Sequence, residues 1–323
     1  MLSRVAEAVY WLSRYIERAE NVARFVDVNL QFTLDQPTGT EAQWEPLVAT
    51  TGDSALFRER FDDPSRENVI HFLTFDEQNP NSILSCLRSA RENARSVREA
   101  ISSEMWEQVN KFYLMVSAAR TDGRATRSPH DFYSDVKNAA HLFGGVTNAT
   151  LSHNEGFHFS RLGCLIERAD KTTRLLDVKY FVLLPSVSHV GTTYDDIQWA
   201  AVLRSASAFE MYRKRFGRIS PPHIVEFLLL DHEFPRSVHF CLMKADRSLH
   251  AITGTNPGSF HNAAEQRLGQ IVAELSFAQI SDVLRSGFHE FLDGLQIKLN
   301  VVGDAIHDTF FALRPIGNGA SVG

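Results

Sequence analysis

Two stretches of the chain carry the same pattern of charged residues, 150 positions apart. In each stretch two carboxylates, an arginine and an aspartate follow one another at intervals of three, four and three residues. Such intervals place all four side chains along one line of a helix. Carboxylates and guanidiniums arranged in this way can pair with a facing helix, hold a cation or bind the charged ends of a peptide. This polar seam consists of Glu17, Glu20, Arg24 and Asp27 in the first copy and of Glu167, Asp170, Arg174 and Asp177 in the second.

Three interpretations of the polar seam remain open. In the first, the two helices cross and each glutamate pairs with an arginine of the other copy, which fixes their register. In the second, the seam is a buried site in which Glu17 and Glu167 are candidate catalytic residues, because burial can raise the pKa of a carboxylate towards neutrality. In the third, the seam is a solvated face, which its recurrence in both copies argues against. Within each copy, Arg24 or Arg174 can reach the carboxylates four residues before it and three residues after it.

No complete metal or cofactor motif accompanies the seam. A ferritin-type di-iron site needs Glu-x-x-His on two helices, whereas the residues three after Glu17 and Glu167 are Glu20 and Asp170. A carboxylate-only site for magnesium or manganese remains an alternative. The chain has no glycine-rich phosphate loop, dinucleotide fingerprint or Gly-x-Ser-x-Gly elbow, so no other cofactor is evident.

The segment around Arg236 is a further candidate. Asp231 can act as a cap, and we expect Pro235, Arg236 and Ser237 in the first turn of a helix. An arginine there can help to bind an anion at the helix N-terminus. A tight connection between two helices explains the same segment without a ligand.

Apolar residues that recur in threes and fours predict an all-α protein, a bundle of roughly ten to twelve helices. The first copy of the seam falls on a helix at about 2–32, next to an apolar face that centres on Leu12, Ala19, Ala23 and Val26. The second copy falls on a helix at about 154–181. We expect two related halves, 1–150 and 151–315, that share one core because no flexible linker separates them, and a flexible tail at 316–323.

Composition narrows the function classes. Of the 323 residues, 44% are hydrophobic and 22% are charged, as in an ordinary globular protein. The net charge of −6 argues against a binder of nucleic acid or of anionic membranes. Three widely spaced cysteines fit a reducing cytoplasm. No apolar run approaches the roughly 20 residues that span a bilayer.

Several segments resemble the alpha-E domain family, a bacterial helical family known for a Glu-Arg motif. The resemblance rests on residues 11–21, 79–95, 166–170 and 234–238. It implies an all-helical cytoplasmic protein that works beside ATP-grasp amidoligases and transglutaminase-fold peptidases, and therefore a role in making or modifying small peptides. The Glu-Arg motif falls on Glu17, Arg18, Glu167 and Arg168.

We therefore expect an accessory or substrate-binding component of an ATP-dependent peptide synthesis or modification system. A small peptide or amino-acid-like ligand would place its amine against the carboxylates and its carboxylate against the arginines. The alternatives are an enzyme of that system, which uses the paired carboxylates in acid/base or metal-assisted chemistry, and a scaffold whose ion pairs are purely structural. The candidate binding residues are Arg14, Glu17, Arg18, Glu20, Arg24, Asp27, Glu167, Arg168, Asp170, Arg174, Asp177 and Arg236.

Overall fold

The computed structural model describes residues 1–34, 44–181 and 193–312. These residues form sixteen α-helices and one π-helical turn, with no strand among them. In the first half the helices are α1 Ser3–Leu34, α2 Glu45–Thr51, α3 Ser54–Arg60, α4 Arg66–Thr74, α5 Ile83–Ser96, α6 Ser103–Asp122, α7 Arg124–Arg127 and α8 Pro129–Thr150. In the second half they are α9 Glu155–Phe181, α10 Thr193–Ser205, α11 Phe209–Phe216, α12 Pro221–Leu230, α13 Val238–Thr253, α14 Ala263–Phe277, α15 Ile280–Ser286 and α16 Phe288–Ile306, followed by the π-helical turn His307–Phe311.

The all-α prediction is confirmed, although the helix count in the described part exceeds ten to twelve. The spacing of apolar residues predicts single helices at about 194–215 and 279–313, but each is divided in two by a residue with a positive φ angle. Ser207, at φ 51°, separates α10 from α11, and Gly287, at φ 106°, separates α15 from α16. The predicted tail at 316–323 lies outside the described residues.

The duplication extends beyond the seam to a second helix in each half. α1 packs against α5 in the first half, and α9 packs against α13 in the second. The segments that lead into α5 and α13 share the pattern Asp-x-x-x-Pro-x-Ser-x-x-x-Cys-Leu, at 76–87 and 231–242. The repeated unit is therefore a pair of helices rather than a single one.

Serine caps begin the second helix of each pair. Ser82 Oγ accepts a hydrogen bond from Ser85 N at 3.2 Å, and Ser237 Oγ accepts one from Phe240 N at 3.1 Å. The position predicted for Pro235 is wrong, because α13 begins at Val238 and the proline precedes the cap. A serine hydroxyl satisfies a free backbone N–H, which a proline in the first turn cannot do.

Buried apolar side chains form two clusters, one in each half. The predicted apolar face of α1 is buried in the first cluster, with Leu12, Ala19, Ala23 and Val26 fully inaccessible. The second cluster is built from residues 159–311, and α1 adds Ala6 and Tyr10 to it. The sequence suggests one shared core, whereas the buried residues form two clusters, and α1 contributes to both. The polar seam lies where α1 meets α9.

α1 and α9 cross at very short range. A Cβ atom added to Gly163 would lie 2.3 Å from the carbonyl oxygen of Tyr10. At the equivalent contact, Ser13 Oγ lies 2.7 Å from Ser160 Oγ. Positions 10 and 160, and positions 13 and 163, are repeat equivalents. The crossing is therefore pseudo-symmetric, and its small residues let two charged helices approach each other.

Candidate functional site

The two Glu-Arg motifs pair reciprocally at the crossing. Arg18 donates two hydrogen bonds to Glu167, from Nε to Oε1 at 2.7 Å and from Nη2 to Oε2 at 2.9 Å. Arg168 donates two to Glu17, from Nε to Oε1 and from Nη2 to Oε2, both at 2.8 Å. Both carboxylates are buried, with Glu17 6% and Glu167 0% exposed. The first interpretation of the seam therefore describes the geometry at its centre, with the arginine of the Glu-Arg motif as the partner.

A second guanidinium reaches each central glutamate, and it comes from a different place in each half. Arg14 Nε donates to Glu167 Oε2 at 3.0 Å, and Arg236 Nη1 donates to Glu17 Oε1 at 3.1 Å. In the repeat, position 14 corresponds to Cys164, and position 236 corresponds to Asn81. Each half thus supplies one extra arginine, at non-equivalent positions, and both glutamates end with two guanidiniums.

These contacts keep the central glutamates ionised. Burial alone would raise the pKa of Glu17, but the Arg168 and Arg236 guanidiniums hold that pKa well below its usual range. Burial has the same effect on Glu167, and Arg18 and Arg14 lower its pKa likewise. A carboxylate with such a low pKa is a weak base at neutral pH. The acid/base hypothesis for Glu17 and Glu167 needs a raised pKa, so this environment argues against it.

The outer residues of the seam pair partly within their own helix and partly with neighbouring helices. Arg174 Nε lies 3.0 Å from Asp170 Oδ2, as predicted, and Arg24 contacts Glu20. The aspartates at the end of the stripe instead contact histidines. Asp27 Oδ1 lies 2.8 Å from His130 Nδ1 of α8, and Asp177 Oδ1 lies 2.7 Å from His289 Nδ1 of α16.

Arg236 does not face an open helix N-terminus. Its Nη2 donates to Glu20 Oε2 at 2.8 Å, and its Nη1 donates to Asn21 Oδ1 at 3.0 Å as well as to Glu17. The side chain is buried and directed back towards α1. The anion site suggested for this segment is therefore replaced by an internal ion-pair network.

Two clefts flank the central ion pairs. Cleft A, of about 540 Å³, lies between α1, α9 and the end of α16, and its charged lining consists of Arg14, Arg18, Asp170, Lys171, Arg174 and Asp304. Cleft B, of about 370 Å³, lies between α1, α8, α9 and the start of α13, and its charged lining consists of Glu17, Glu20, Arg161, Arg168 and Arg236. Both volumes lie within the range of small-molecule sites.

Cleft A brings both charge signs to one wall. Lys171, at 5% exposure, is held with its Nζ 3.3 Å from Asp170 Oδ2. Burial would raise the pKa of Asp170, but Lys171 and Arg174 lower it, so the carboxylate is ionised. The Arg14 guanidinium lies over the Trp11 ring, 4.8 Å from its centroid. Cleft A can therefore accept an anionic group, a cationic group and an apolar contact at once.

The described residues contain no group of three or more histidine, cysteine, aspartate or glutamate side chains placed to hold a metal ion. The central carboxylates, which the alternative of a carboxylate-only metal site would use, accept hydrogen bonds from guanidiniums. None of the helices within the described ranges combines the length and the apolar composition of a membrane-spanning segment.

Several site residues were not anticipated from the sequence. Asn81 accepts a hydrogen bond from Arg18 Nη1 at 2.5 Å, and Cys164 Sγ lies 3.2 Å from Glu17 Oε2. Lys137 Nζ lies 2.5 Å from Asp27 Oδ2. Asn81 carries a usable signal, because it occupies the position of Arg236 in the second repeat. Cys164 likewise occupies the position of Arg14.

Comparison with known proteins supports the Glu-Arg assignment. A family model called Alpha-E, described as a predicted alpha-helical domain with a conserved ER motif, matches residues 1–311. The chain belongs to the Alpha-E family. An uncharacterised protein of Mycobacterium bovis and two of Mycobacterium tuberculosis, from strains CDC 1551 and H37Rv, are each 25% identical to this Alpha-E chain over 335 residues. The alignment covers 96% of the Alpha-E chain and 37% of each relative, so the chain spans just over a third of their length. No solved structure matches it.

Proposed function

We propose that the protein is a substrate-binding component of an ATP-dependent system that makes or modifies small peptides. It works in the cytoplasm beside an ATP-grasp amidoligase and a transglutaminase-like peptidase. Cleft A holds the ligand, a small peptide or an amino-acid-like molecule. The family resemblance supports the pathway, and the geometry of the cleft supports the binding role.

The observation that carries the binding role is the pair of opposite charges in cleft A. Arg14 and Arg174 offer guanidiniums to a carboxylate, while Asp304 offers a carboxylate to an ammonium group. A peptide or amino acid carries both groups at its ends. Glu17 and Glu167 have a structural role in this proposal, because their oxygens already accept hydrogen bonds from arginines. The binding function therefore lies beside the Glu-Arg pairs rather than on them.

A dipeptide probe tests the binding role. Alanyl-alanine with free termini is compared with its N-acetyl and C-terminal amide forms by isothermal titration calorimetry. Each blocked form loses one charged contact of about 1.5–3 kcal/mol, so we expect its affinity to fall by about tenfold or more. Equal binding of all three forms would contradict recognition of the two ends.

A pair of glycine variants tests the place of binding. Gly303 lines cleft A on α16, and Gly294 lies on the same helix away from it. A Cβ atom at either position meets nothing within 4 Å, so both variants are expected to fold. Gly303→Leu fills the cleft and abolishes dipeptide binding, whereas Gly294→Leu leaves it unchanged. Similar affinities in the two variants would move the ligand to another surface.

Affinity purification from native cells tests the pathway. We expect an ATP-grasp amidoligase or a transglutaminase-like protein to elute with the wild-type chain. Recovery of neither enzyme, from cells that express both, would separate the protein from that system even if the dipeptide binds.

A further inference from the structure

Cleft A and cleft B are related by the internal repeat, because residues at equivalent positions of the two halves line them. Arg18, Ile166 and Asp170 line cleft A, and their repeat equivalents Arg168, Ile16 and Glu20 line cleft B. The third wall of cleft A is the end of α16, which packs against α9. The third wall of cleft B is the end of α8, which packs against α1. One architecture has therefore produced two pockets.

The chemistry of cleft B differs from that of cleft A at equivalent positions. Trp11 and Asn81 of cleft A correspond to Arg161 and Arg236 of cleft B. Cleft B therefore has cations at two positions that are uncharged in cleft A. Conversely, Lys171 corresponds to Asn21, which binds the backbone oxygen of Glu17 at 2.8 Å. Cleft B therefore has no counterpart of the Lys171 cation that pairs with Asp170 in cleft A.

The walls of cleft B are largely apolar and aromatic. They include Phe143 from α8, Phe157 and Leu165 from α9, and Phe240 from α13. Aromatic walls bury the body of a ligand, and a few polar groups orient it. A body of one ring or a branched chain suits a volume of about 370 Å³.

Besides neutral side chains such as Thr147 and Asn148, the hydrogen-bonding group left available in cleft B is a cation. The carboxylates of Glu17 and Glu20 are engaged by Arg168, Arg236 and Arg24. Arg161 makes no ion pair with a described carboxylate, and its guanidinium lies 5.7 Å from the centroid of the Phe157 ring. An arginine held beside an aromatic wall can bind a carboxylate through two hydrogen bonds.

We infer that cleft B is a second ligand site, which takes a monocarboxylate with an aromatic or branched apolar body. The carboxylate meets Arg161, and the body lies against the phenylalanine walls. Such a group occurs both at the C-terminus of a peptide that ends in an apolar residue and in a short fatty or aryl acid. The site is separate from cleft A, so this inference does not depend on the proposed dipeptide site.

The probe for cleft B is 3-phenylpropionate, measured by calorimetry and by ligand-observed NMR. We expect saturable binding to the wild-type chain. The amide 3-phenylpropanamide lacks the charge and acetate lacks the body, so each should bind at least about tenfold more weakly. N-acetyl-phenylalanine and octanoate then distinguish a peptide terminus from a fatty acid. An amide that binds as tightly as the acid, or no saturable binding, overturns the inference.

Adjacent glycines on α8 provide the matched variants. Gly144 lines cleft B whereas Gly145 does not, and a Cβ atom at either position meets nothing within 4 Å. Gly144→Leu should abolish binding of 3-phenylpropionate, and Gly145→Leu should preserve it. Gly303→Leu, which fills cleft A, should also preserve it. Equal affinity in the two α8 variants overturns the inference.

Arg161 provides a second line of variants that does not alter the helix backbone or the central ion pairs. Arg161→Gln should weaken 3-phenylpropionate binding at least about tenfold and leave the affinity for the amide unchanged, while Arg161→Lys should restore part of the loss. An unchanged affinity for the acid in Arg161→Gln overturns the assigned role of the guanidinium.

Discussion

At Glu17 and at Glu167, burial raises the pKa of the carboxylate and ion pairing lowers it. Removing either group from water is costly, and two guanidiniums per glutamate offset that cost. The arrangement therefore contributes little net stability compared with an apolar core, but it penalises any loss of one partner. Both Glu-Arg motifs lie where the two longest helices of the described chain cross, so each buried charge there keeps a partner from the other helix.

A double-mutant cycle measures this penalty. Arg18→Met and Glu167→Gln should each lower the free energy of unfolding by about 3–5 kcal/mol, because each leaves a buried group without its partner. The double variant should lose much less than the sum. The matched control is Arg58–Glu45, a pair of the same type with side chains 70% and 54% exposed, for which we expect coupling of about 0–1 kcal/mol. Additive losses at the buried pair, measured by urea unfolding, would contradict the account.

The lowered pKa of each central glutamate predicts a loss of stability in acid. A carboxylate whose pKa is lower in the folded than in the unfolded state stabilises the fold above its unfolded value, near 4.5. The contribution is lost as pH falls below that value towards the folded pKa. The contribution of the two glutamates to the free energy of unfolding should therefore stay level from pH 7 to about 5.5 and then fall by up to about 1.4 kcal/mol per pH unit for each glutamate.

Glu167→Gln removes one of these titrating groups. Urea unfolding at a series of pH values should show a shallower decline below pH 4.5 for this variant than for the wild type. Parallel declines in the two proteins would mean that other carboxylates control acid unfolding.

At the scale of the elements, the crossing of α1 and α9 depends on one missing side chain. Gly163→Ala places a methyl group 2.3 Å from the Tyr10 carbonyl oxygen and forces the helices apart. We expect a loss of about 1–3 kcal/mol in thermal or urea unfolding. The control is Gly269→Ala in α14, where a Cβ meets nothing within 4 Å and the better helix propensity should add about 0.5–1 kcal/mol. A stabilising effect at both positions would contradict the close approach.

Much of the helical framework follows from the sequence, because periodicity is a local signal. The long helices α1 and α9 and the line of seam residues are visible in spacing alone. The break at Ser207 is not, because a positive φ angle at a serine leaves no trace in composition. The predicted start of α13 was wrong for a related reason, since Pro235 and Ser237 are both plausible first residues and only the cap geometry separates them.

The partners of the seam are harder to predict than the seam itself. Asp27 pairs with Lys137 and His130, more than 100 positions away, and Glu17 with Arg236, 219 positions away. Such pairs depend on how helices pack and have no fixed spacing. Sequence alone therefore identifies the charged residues but cannot assign which carboxylate meets which arginine, or where the two clefts lie.

At the scale of the whole molecule, the two halves complete each other. Among the described residues, Glu17 pairs with arginines of the second half. Glu167 pairs with Arg14 and Arg18 of the first half at closer range than with Lys171 of its own helix, 3.8 Å away. Separate expression of 1–152 and 153–323 should therefore yield unstable fragments, cut at an exposed turn between α8 and α9. Co-expression should yield a one-to-one complex, measured by light scattering. A stable, monomeric first fragment would contradict this mutual dependence.

The glycine at the crossing also decides which halves can associate. If two copies of the first half met in the same way, the Cβ of Ser13 would take the place of the Gly163 hydrogen and collide with the Tyr10 backbone. Two first halves are therefore excluded from meeting in this way, whereas a first and a second half fit. A symmetric dimer has to accept every substitution twice, once in each pocket. A single polypeptide with two unlike halves escapes that constraint, so each pocket is free to acquire its own ligand without spoiling the other.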